Sequence, residues 1–369
     1  MRLTSVFPGW TRAEAAEHVV GVLPGEGIGP EIIGAALAVL DAVGDAAGLR
    51  FDVRVGGEIG MVARARGGAE LSDDVVAFCH AVFADGGAVL SGPGGGRFVY
   101  DLRARFDLFC KLTPLRPFRA LEDTGTLRPG VTREVDVVVV RENRGGMYFG
   151  TGHLDADGAR HTFGYARYEV ARLVDAAASL AAGRRRRLAV VIKAGGVPSL
   201  STLWREEAAR ACACHDVALT LLDIDHAAYQ LVAEPHAFDV IAAPNLFGDV
   251  LSDLGAVLLR ARGLSYSGNF GEGGVGVYQT GHGAAYDLAR SDQANPLGQI
   301  QALAMLLHES FGLARVSAAI LDAIHVVLAA GVRTADVAAP GATVVGTAEM
   351  GARVADAVRH GFAAARLSA

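Results

Sequence analysis

Two aspartates four residues apart are the clearest sign of chemistry in this sequence. Asp249 and Asp253 lie in the stretch NLFGDVLSDLG, and on a helix this spacing places both carboxylates on one face. Two like charges so close destabilise a helix unless a cation neutralises them, and Mg²⁺ and Mn²⁺ prefer carboxylate oxygens. The pair therefore suggests a divalent metal ion, with a solvated aspartate pair near a helix start as the alternative.

Charged residues end two apolar stretches that have the composition of buried strands. Arg141 and Glu142 close VDVVVVRE, Tyr148 follows seven residues after Arg141, and Lys193 closes LAVVIK. Ligands of open α/β sheets bind at the carboxyl ends of the strands. These side chains are therefore candidates for contacting a ligand, although an exposed arginine and a solvated lysine would give the same pattern.

The glycine loop GEGIGPE lies between a strand-like apolar run and a helix-like one. The dinucleotide-binding fingerprint G-x-G-x-x-G requires a third glycine at the position that Pro30 occupies. Proline suits the first turn of a helix, where Glu31 offsets the positive end of the helix. The loop is therefore predicted to be a tight strand-to-helix turn, and its residues alone leave open whether it contacts a ligand.

The elements that must position these residues alternate along the chain. This alternation predicts an α/β protein with a largely parallel sheet. The glycine-rich segment 265–296 shows no such pattern and is predicted to be a long irregular binding loop. The predicted strands lie at 18–23, 88–93, 135–143, 188–193 and 238–245, and the predicted helices at 31–43, 73–83, 203–213, 249–260, 297–310 and 315–330.

Composition excludes several classes of protein. The 369 residues are 51% hydrophobic and 20% charged, which is typical of a packed soluble chain long enough for two lobes. A net charge of -6 argues against general nucleic-acid binding. No apolar run approaches the ~20 residues that span a bilayer. Residues 1–18 lack the apolar core of a secretory signal, so a cytoplasmic location is expected.

The four cysteines form no recognisable disulfide or zinc framework. Cys212 and Cys214 in CACH are closer together than the paired cysteines of structural zinc sites usually are. We therefore expect both to be buried, inert thiols in a reducing compartment.

Four motifs in a fixed order resemble one family. GEGIGPE, VRENRGGMYFG, NLFGDVLSDLG and HGAAYDLARSDQANP are similar to the β-decarboxylating dehydrogenases of isopropylmalate, isocitrate, homoisocitrate and tartrate, from about residue 18 onwards. The resemblance implies a two-domain α/β fold with parallel or mixed sheets flanked by helices and an active site in the interdomain cleft. It implies a large cofactor-binding domain of residues 1–108 and 261–369, and a small substrate and dimerisation domain of residues 109–260. It also implies that the glycine loop lines the cofactor cleft.

The resemblance assigns a shared metal site to a homodimer. Asp249 and Asp253 of one subunit and Asp225 of the partner would bind Mg²⁺ or Mn²⁺, which lowers the pKa of the substrate hydroxyl. Lys193, also from the partner, would accept the hydroxyl proton. A lysine titrates near 10.4 in water, so it serves as a base at neutral pH only if nearby cations, here the metal and Arg141, lower its pKa.

The remaining roles concern proton donation, substrate binding and the cofactor. Tyr148 would protonate the enolate after decarboxylation, and Arg103 and Arg141 would bind carboxylates in bidentate fashion. Asp287 and Leu288 stand where NADP-using relatives place a lysine and a tyrosine; a carboxylate there repels a 2′-phosphate, so NAD is favoured. The implied cofactor-binding residues are Ile28, His282, Gly283, Asp287 and Asn295.

Several positions depart from the family pattern near the substrate. Thr113 replaces a substrate-binding arginine, and Lys111 shares its face of an extended segment, so Lys111 is predicted to restore the positive charge. Gly195 replaces an asparagine near the nicotinamide, and Gly196 removes a wall of the substrate's alkyl pocket. Gln279 replaces an acidic residue. These departures suggest a related but different acid.

The preferred interpretation is NAD- and metal-dependent oxidative decarboxylation of a 3-substituted malate, similar to 3-isopropylmalate. Val99 and Tyr100 favour it, because they make an apolar or aromatic wall of the substrate pocket. The alternatives are a dehydrogenase of isocitrate, homoisocitrate, tartrate or malate, and a non-catalytic regulatory subunit. A homodimer with shared active sites is expected, with helix packing along the small apolar stripe of Leu203, Ala208, Ala209 and Ala211.

Overall fold

The computed structural model describes residues 17–367 and places strands and helices in regular alternation. The segment examined for a secretory signal lies almost entirely outside these residues. The strands are β1 His18–Leu23, β2 Phe51–Val55, β3 Ala88–Ser91, β4 Cys110–Leu115, β5 Val137–Glu142, β6 Thr151–Leu154, β7 Ala159–Thr162, β8 Arg187–Ile192, β9 Ala218–Asp223, β10 Val240–Ala243, β11 Tyr266–Phe270, β12 Gly276–Thr280, β13 Val332–Arg333 and β14 Thr343–Val344. The helices are α1 Gly29–Ala47, α2 Gly60–Gly67, α3 Asp73–Ala84, α4 Phe98–Arg105, α5 Arg167–Ala182, α6 Pro198–His215, α7 Ile224–Ala233, α8 Asn245–Gly255, α9 Leu297–Glu309, α10 Ala314–Ala329 and α11 Thr347–Leu367.

Ten strands form one mixed sheet in the order β2-β1-β3-β12-β11-β4-β5-β10-β8-β9. Both flanks are parallel, whereas the pairings β12–β11, β11–β4 and β4–β5 are antiparallel. Buried valines, leucines and alanines from the sheet and its flanking helices form the main core. The predicted α/β class with a mixed sheet flanked by helices is confirmed, and the candidate side chain Arg141 lies at the end of the central strand β5.

The two predicted domains share this sheet. β4, from the predicted small domain, pairs with β11, from the predicted large domain, through residues such as Lys111 and Asn269. At the centre of the sheet, β12 and β11 from the later part of the chain therefore lie between β3 and β4 from the earlier part. The division at residues 108/109 and 260/261 stays a prediction.

The glycine-rich segment 265–296 is more ordered than its composition suggested. The prediction of a wholly irregular loop is wrong, because β11 and β12 form an antiparallel pair within it and both are mostly buried. Small residues suit this central position: a Cβ on Gly268 would stand 2.4 Å from the Phe270 ring and 3.2 Å from Met305 of α9. The glycines thus allow close packing in the sheet, and only the part after β12 remains a loop.

The glycine loop is a tight turn that packs against the segment after β12. Gly25 and Gly27 have positive φ values of 82° and 57°, and a Cβ on Gly27 would lie 2.0 Å from the Ala284 carbonyl oxygen. The Ile28 amide donates a hydrogen bond of 2.9 Å to the same carbonyl. Pro30 is the second residue of α1 and so lies in its first turn, as its sequence context indicated. Gly27 is therefore required by backbone contact with the segment after β12, and Gly25 by backbone contact with Gly92 and Pro93 after β3.

Helix α6 packs on its own chain through part of the stripe proposed for a subunit interface. Ala208 and Ala211 are fully buried against α5 and the sheet, whereas Ala209 is exposed. Ala208 and Ala211 are therefore part of this chain's own core and are not available to a subunit interface. The cysteine prediction is wrong for Cys214, which is exposed while Cys212 is buried. Residues two apart on a helix point to different faces, so both thiols do not reach one core.

Within the described part of the chain, no helix combines the length and the apolarity needed to cross a bilayer.

Candidate active site

Side chains from four elements converge on a pocket of about 170 Å³ at the carboxyl end of β5. Arg103 comes from α4, Lys111 from β4, Arg141 from β5 and Asp249 from α8. Antiparallel pairing places Lys111 directly opposite Arg141. We call these four residues, together with Tyr148, the Arg141 cluster. The pocket wall also includes Val99, Tyr100, Gln279, His282 and Gly283.

The three cations of the Arg141 cluster are buried. Arg103, Lys111 and Arg141 are only 5%, 6% and 1% exposed. Burial and the neighbouring Arg141 and Arg103 charges lower the pKa of Lys111 to about 7, and burial with the Arg141 charge lowers the pKa of Arg103 to about 9. Asp249 is the single carboxylate among the pocket-lining residues. An anionic ligand would relieve this excess of positive charge.

Arg141 is held in one orientation by two side chains of α8. Its Nε and Nη2 donate to Asn245 Oδ1 at 3.0 and 2.8 Å, and its Nη1 pairs with Asp249. Burial raises the pKa of Asp249, but the Arg141 charge and the Tyr148 hydrogen bond outweigh burial and leave it lowered. Asn245 was missed by sequence reasoning, because an asparagine at a helix start is ordinary.

Tyr148 and Arg141 bind different oxygens of the Asp249 carboxylate. Its hydroxyl donates to Asp249 Oδ2 at 2.8 Å, and its ring lies 5.6 Å from the Arg141 guanidinium and 5.4 Å from the Tyr100 ring. Burial and the adjacent Asp249 carboxylate raise the pKa of the phenol. Tyr148 therefore keeps its proton at neutral pH and has the chemistry of a proton donor.

The predicted metal ligands separate into two places within one chain. Asp253 follows Asp249 by one turn of α8 and pairs with Arg262 at 2.8 Å, whereas Asp225 pairs with Lys193. Among residues 17–367, no three histidine, cysteine or acidic side chains are grouped closely enough to hold a metal ion. Asp249 and Asp253 carry oxygen donors of the kind that Mg²⁺ and Mn²⁺ prefer, but no third acidic, histidine or cysteine side chain joins them among the described residues.

Lys193 and Asp225, which we call the Lys193 pair, lie at the surface. Their side chains are 37% and 72% exposed, and the Lys193 ammonium also approaches Asp223 at 3.4 Å. Hydrogen bonding to Asp225 raises the pKa of Lys193, and the same contact lowers the pKa of Asp225. The predicted lowering of the Lys193 pKa is thus reversed in the single chain, because a carboxylate rather than a cation faces the ammonium.

A second groove, of about 400 Å³, adjoins the pocket and shares His282 and Gly283 with it. Ile28 and Asn295 also line this groove, so four of the five predicted cofactor-binding residues lie together. Asp287 does not line it, because this residue points into solvent from a short 3₁₀ turn while Leu288 faces the groove. Sequence reasoning missed Arg262 and Asp336, which line the groove too; Asn295 Nδ2 donates to Asp336 Oδ2 at 3.2 Å.

The departures from the family pattern fall around these sites. Thr113 is buried, its hydroxyl has no hydrogen-bond partner among the described residues, and Lys111 reaches the pocket that Thr113 does not line. Gln279 lines the pocket. Gly195 borders open space, and a Cβ on Gly196 would meet Lys193 Cγ at 3.0 Å. The missing side chains therefore lie next to Lys193.

Comparison with known proteins gives consistent matches across the chain. The family model described as isocitrate/isopropylmalate dehydrogenase matches residues 19–354. The chain is 38% identical to a 3-isopropylmalate dehydrogenase of Prochlorococcus marinus (strain MIT 9313), covering 93% of this chain and 99% of the relative. It is 39% identical to one of Synechococcus sp. (strain JA-3-3Ab), covering 91% and 92%. The crystal structure of isocitrate dehydrogenase from Methylococcus capsulatus aligns with a TM-score of 0.82 at 31% identity, covering 93% of this chain and 99% of that one.

Proposed function

The chain belongs to the isocitrate/isopropylmalate dehydrogenase family and is a β-decarboxylating dehydrogenase, and on that basis we propose that it uses NAD and a divalent metal ion to decarboxylate a 3-substituted malate oxidatively. The substrate resembles 3-isopropylmalate, and the product is a 2-keto acid with carbon dioxide. The single observation that carries this proposal is the convergence of three buried cations on one pocket with Asp249, which accepts a hydrogen bond from Tyr148.

The cations of the Arg141 cluster serve substrate binding. A 3-substituted malate carries two carboxylates, and guanidinium groups bind carboxylates through paired N–H donors. Arg103 and Arg141 supply that geometry, while Lys111 supplies a point charge in place of the arginine absent at Thr113. Val99 and Tyr100 line the same pocket and present apolar surface to the substituent.

In the proposed reaction Lys193 accepts a proton and Tyr148 donates one. Lys193 would accept the proton of the substrate hydroxyl, and NAD, when bound, would supply the hydride acceptor for the hydroxyl-bearing carbon. The bond to the departing carboxylate then breaks, carbon dioxide leaves, and the electron pair remains on the substrate as an enolate. The Tyr148 hydroxyl donates its proton to the enolate carbon, for which its raised pKa keeps the proton available.

The metal and cofactor sites follow from the donors present. Asp249 and Asp253, with the partner subunit's Asp225, would hold Mg²⁺ or Mn²⁺, which when bound acts as a Lewis acid on substrate oxygens. The groove of Ile28, His282, Gly283 and Asn295 would hold NAD beside the substrate pocket. Asp336 in the groove and Asp287 near its edge would disfavour the 2′-phosphate of NADP.

A homodimer completes the site in this proposal. Lys193 and Asp225 contact each other and are exposed, which leaves both available to a second copy of the chain. In the partner's cleft, Lys193 would stand beside the metal and Arg141, whose charges lower its pKa as a general base requires. Neither half is complete without the other.

The test is an absorbance assay for NADH. The protein, with Mn²⁺ and NAD, is supplied with 3-isopropylmalate, other 3-alkylmalates, malate, tartrate, isocitrate and homoisocitrate, and released carbon dioxide is measured in parallel. We expect the highest kcat/KM with a 3-alkylmalate and a lower value when NADP replaces NAD. Absence of turnover with every acid would favour the regulatory-subunit alternative instead.

Isocitrate is the second candidate, and the number of cations favours it. Isocitrate has three carboxylates, which Arg103, Lys111 and Arg141 match one to one, whereas a 3-alkylmalate has two. The similarity to the Methylococcus capsulatus isocitrate dehydrogenase is compatible with this alternative. The Lys111→Met variant separates the two: it should weaken isocitrate use strongly and 3-alkylmalate use only modestly.

A further inference from the structure

Asn245 connects two parts of the active site that are remote in sequence. Its side-chain Oδ1 accepts both Nε and Nη2 of Arg141, and its Nδ2 donates to the Gly145 carbonyl at 2.8 Å. An amide has one acceptor oxygen and one donor nitrogen, so the carbonyl fixes which end faces Arg141. Asn245 and Arg141 are 0% and 1% exposed, which leaves no room for water to replace these bonds.

The Gly145 carbonyl is itself held in place by Glu142. Its carboxylate accepts the Arg144 amide at 2.7 Å and the Gly145 amide at 2.9 Å, which closes the chain into a turn directly after β5. Glu142 is 1% exposed, and burial raises its pKa to about 7 against the effect of these two amides. This turn leads to Tyr148, three residues beyond Gly145.

Two glycines allow the network to form. A Cβ on Gly248 of α8 would stand 2.7 Å from Arg141 Cγ, so only glycine lets the helix approach the arginine side chain this closely. Gly146 has a φ of 71°, and a Cβ there would overlap the Tyr165 hydroxyl at 2.0 Å. The local backbone is therefore shaped around these hydrogen bonds.

We propose that Asn245 and Glu142 are positioning residues, which together fix the Arg141 guanidinium for carboxylate binding and hold the turn that carries Tyr148. Asn245 acts through Arg141, and Glu142 acts through the Gly145 carbonyl and Asn245. This inference rests on the proposed function, in which Arg141 binds the substrate and Tyr148 donates a proton. Neither Asn245 nor Glu142 needs to touch the substrate.

The principal experiment is steady-state kinetics of Asn245→Ala. Displacement of a substrate-binding group by about 1 Å costs on the order of 10²-fold in rate, so kcat/KM for the acid should fall by that factor. The KM for the acid should rise, and the KM for NAD should not change. Damage to folding alone lowers the active fraction and leaves both KM values unchanged. An unchanged KM for the acid would therefore overturn the proposal.

A double-mutant cycle identifies the route of the effect. If Asn245 acts through Arg141, then Asn245→Ala should have little further effect in an Arg141→Lys background, because lysine lacks the Nε and Nη2 donors. An equal loss in both backgrounds would contradict the proposal. Glu142→Gln, which preserves volume and changes only the acceptor, should give a smaller loss of the same kind, and it serves if Asn245→Ala does not fold.

Tyr165→Phe is the matched control. The Tyr165 hydroxyl accepts the backbone amide of Asn245 at 3.0 Å, whereas the Asn245 side-chain amide bonds to Arg141 and the Gly145 carbonyl. Its removal should lower the melting temperature and leave the KM for the acid unchanged. A rise in that KM equal to the rise in Asn245→Ala would show that helix placement, and not the side-chain amide, matters.

A measurement independent of turnover separates this inference from the proposed function. In ¹⁵N NMR spectra the Arg141 Nε–H should exchange slowly with solvent in the unaltered protein, and faster with a shifted resonance in Asn245→Ala. If no acid is turned over, the proposed function fails, while this spectrum still decides the positioning role. An identical Arg141 signal in both proteins would refute it.

Discussion

The Arg141 cluster and the Lys193 pair hold the proposed reaction's binding and proton-transfer groups, but they are built differently. In the cluster, strands and helices from four parts of the chain bring Arg141 to 1% exposure and tie it to Asp249 and Asn245. In the pair, Lys193 is 37% exposed and its partners are Asp225 and Asp223. In the Arg141 cluster, hydrogen bonds from other elements fix the central cation. In the Lys193 pair, the lysine and the aspartate neutralise each other at the surface.

The difference is between a cation whose position is fixed and an ion pair that can exchange its partners. A buried cation that is fixed by hydrogen bonds binds an anion with little reorganisation, because its position is set before the ligand arrives. A surface ion pair contributes little to stability and separates readily. The Arg141 cluster therefore meets what the proposed function requires of a preformed substrate site, and the Lys193 pair meets what it requires of groups that change partners when subunits assemble.

Lys193→Met is expected to have the largest effect on kcat. Removal of the proposed base should reduce kcat by about 10²- to 10⁴-fold, measured by NADH formation at saturating acid. The melting temperature should hardly change, because the lysine is partly exposed and its ion pair is at the surface. Retention of more than about a tenth of the wild-type rate would remove Lys193 from the mechanism.

Tyr148→Phe tests the proton donor within the Arg141 cluster. We expect kcat to fall by about 10²-fold, because the enolate then takes its proton from water, while KM for the acid changes little. Release of carbon dioxide should be measured alongside formation of the keto acid. Tyr168→Phe, at a tyrosine that is 65% exposed, is the control and should behave as wild type. An unchanged rate for Tyr148→Phe would show that Tyr148 is not the donor or that its step is not limiting.

The lowered pKa of Lys111, in the buried Arg141 cluster, predicts that kcat/KM for the acid depends on pH near neutrality. Burial and the neighbouring arginines lower its pKa to about 7, so the free enzyme carries this charge below that pH and loses it above. We therefore expect kcat/KM for the acid to fall as pH rises through about 7, by roughly tenfold for one charged hydrogen bond. Lys111→Arg stays protonated in this range and should abolish the decrease. A decrease of the same size in Lys111→Arg would assign it to another group.

The predictable part of the molecule was its periodic part. Apolar runs with strand or helix periodicity located β1, β5, β8 and β10 and most of α1, α3, α9 and α10, because burial of these faces is a local property of the sequence. The central strands β11 and β12 were missed, because glycine weakens the pattern that identifies a strand. Their role depends on close packing against α9, which only the folded chain reveals.

The site divides in the same way. Arg141 and Asp249 were found because a charged residue at the end of a buried strand, or paired on a helix face, needs an explanation within the sequence itself. Asn245 was missed because its partner Gly145 lies a hundred residues away in the sequence. Glu142 was noted only as a charged strand end, because its bonds to the amides of the following turn appear only in the folded chain. The raised pKa of Lys193 was likewise hidden, since it depends on Asp225 being its neighbour in one chain.

A mixing experiment tests whether one active site combines Lys193 of one chain with Asp253 of the other. Inactive Lys193→Met chains are mixed with inactive Asp253→Asn chains under subunit exchange. In a mixed dimer, the cleft with intact Asp253 receives an intact Lys193 from its partner, and the other cleft lacks both. Half of random dimers are mixed and each has one complete site, so activity should return in up to about a quarter of the sites.

The matched control mixes Lys193→Met with Asp225→Asn, in which both changes affect the Lys193 pair. In the shared-site arrangement each mixed cleft then lacks either the lysine or the aspartate, so no activity should return, although subunits exchange equally well. Recovery in the first mixture and none in the second is expected only if Lys193 and Asp225 act together in the partner's cleft. No recovery in the first mixture, with exchange demonstrated by mass, would place Lys193 and Asp253 in the same chain's site. The exposed contact between Lys193 and Asp225 would then be the resting state of one cleft.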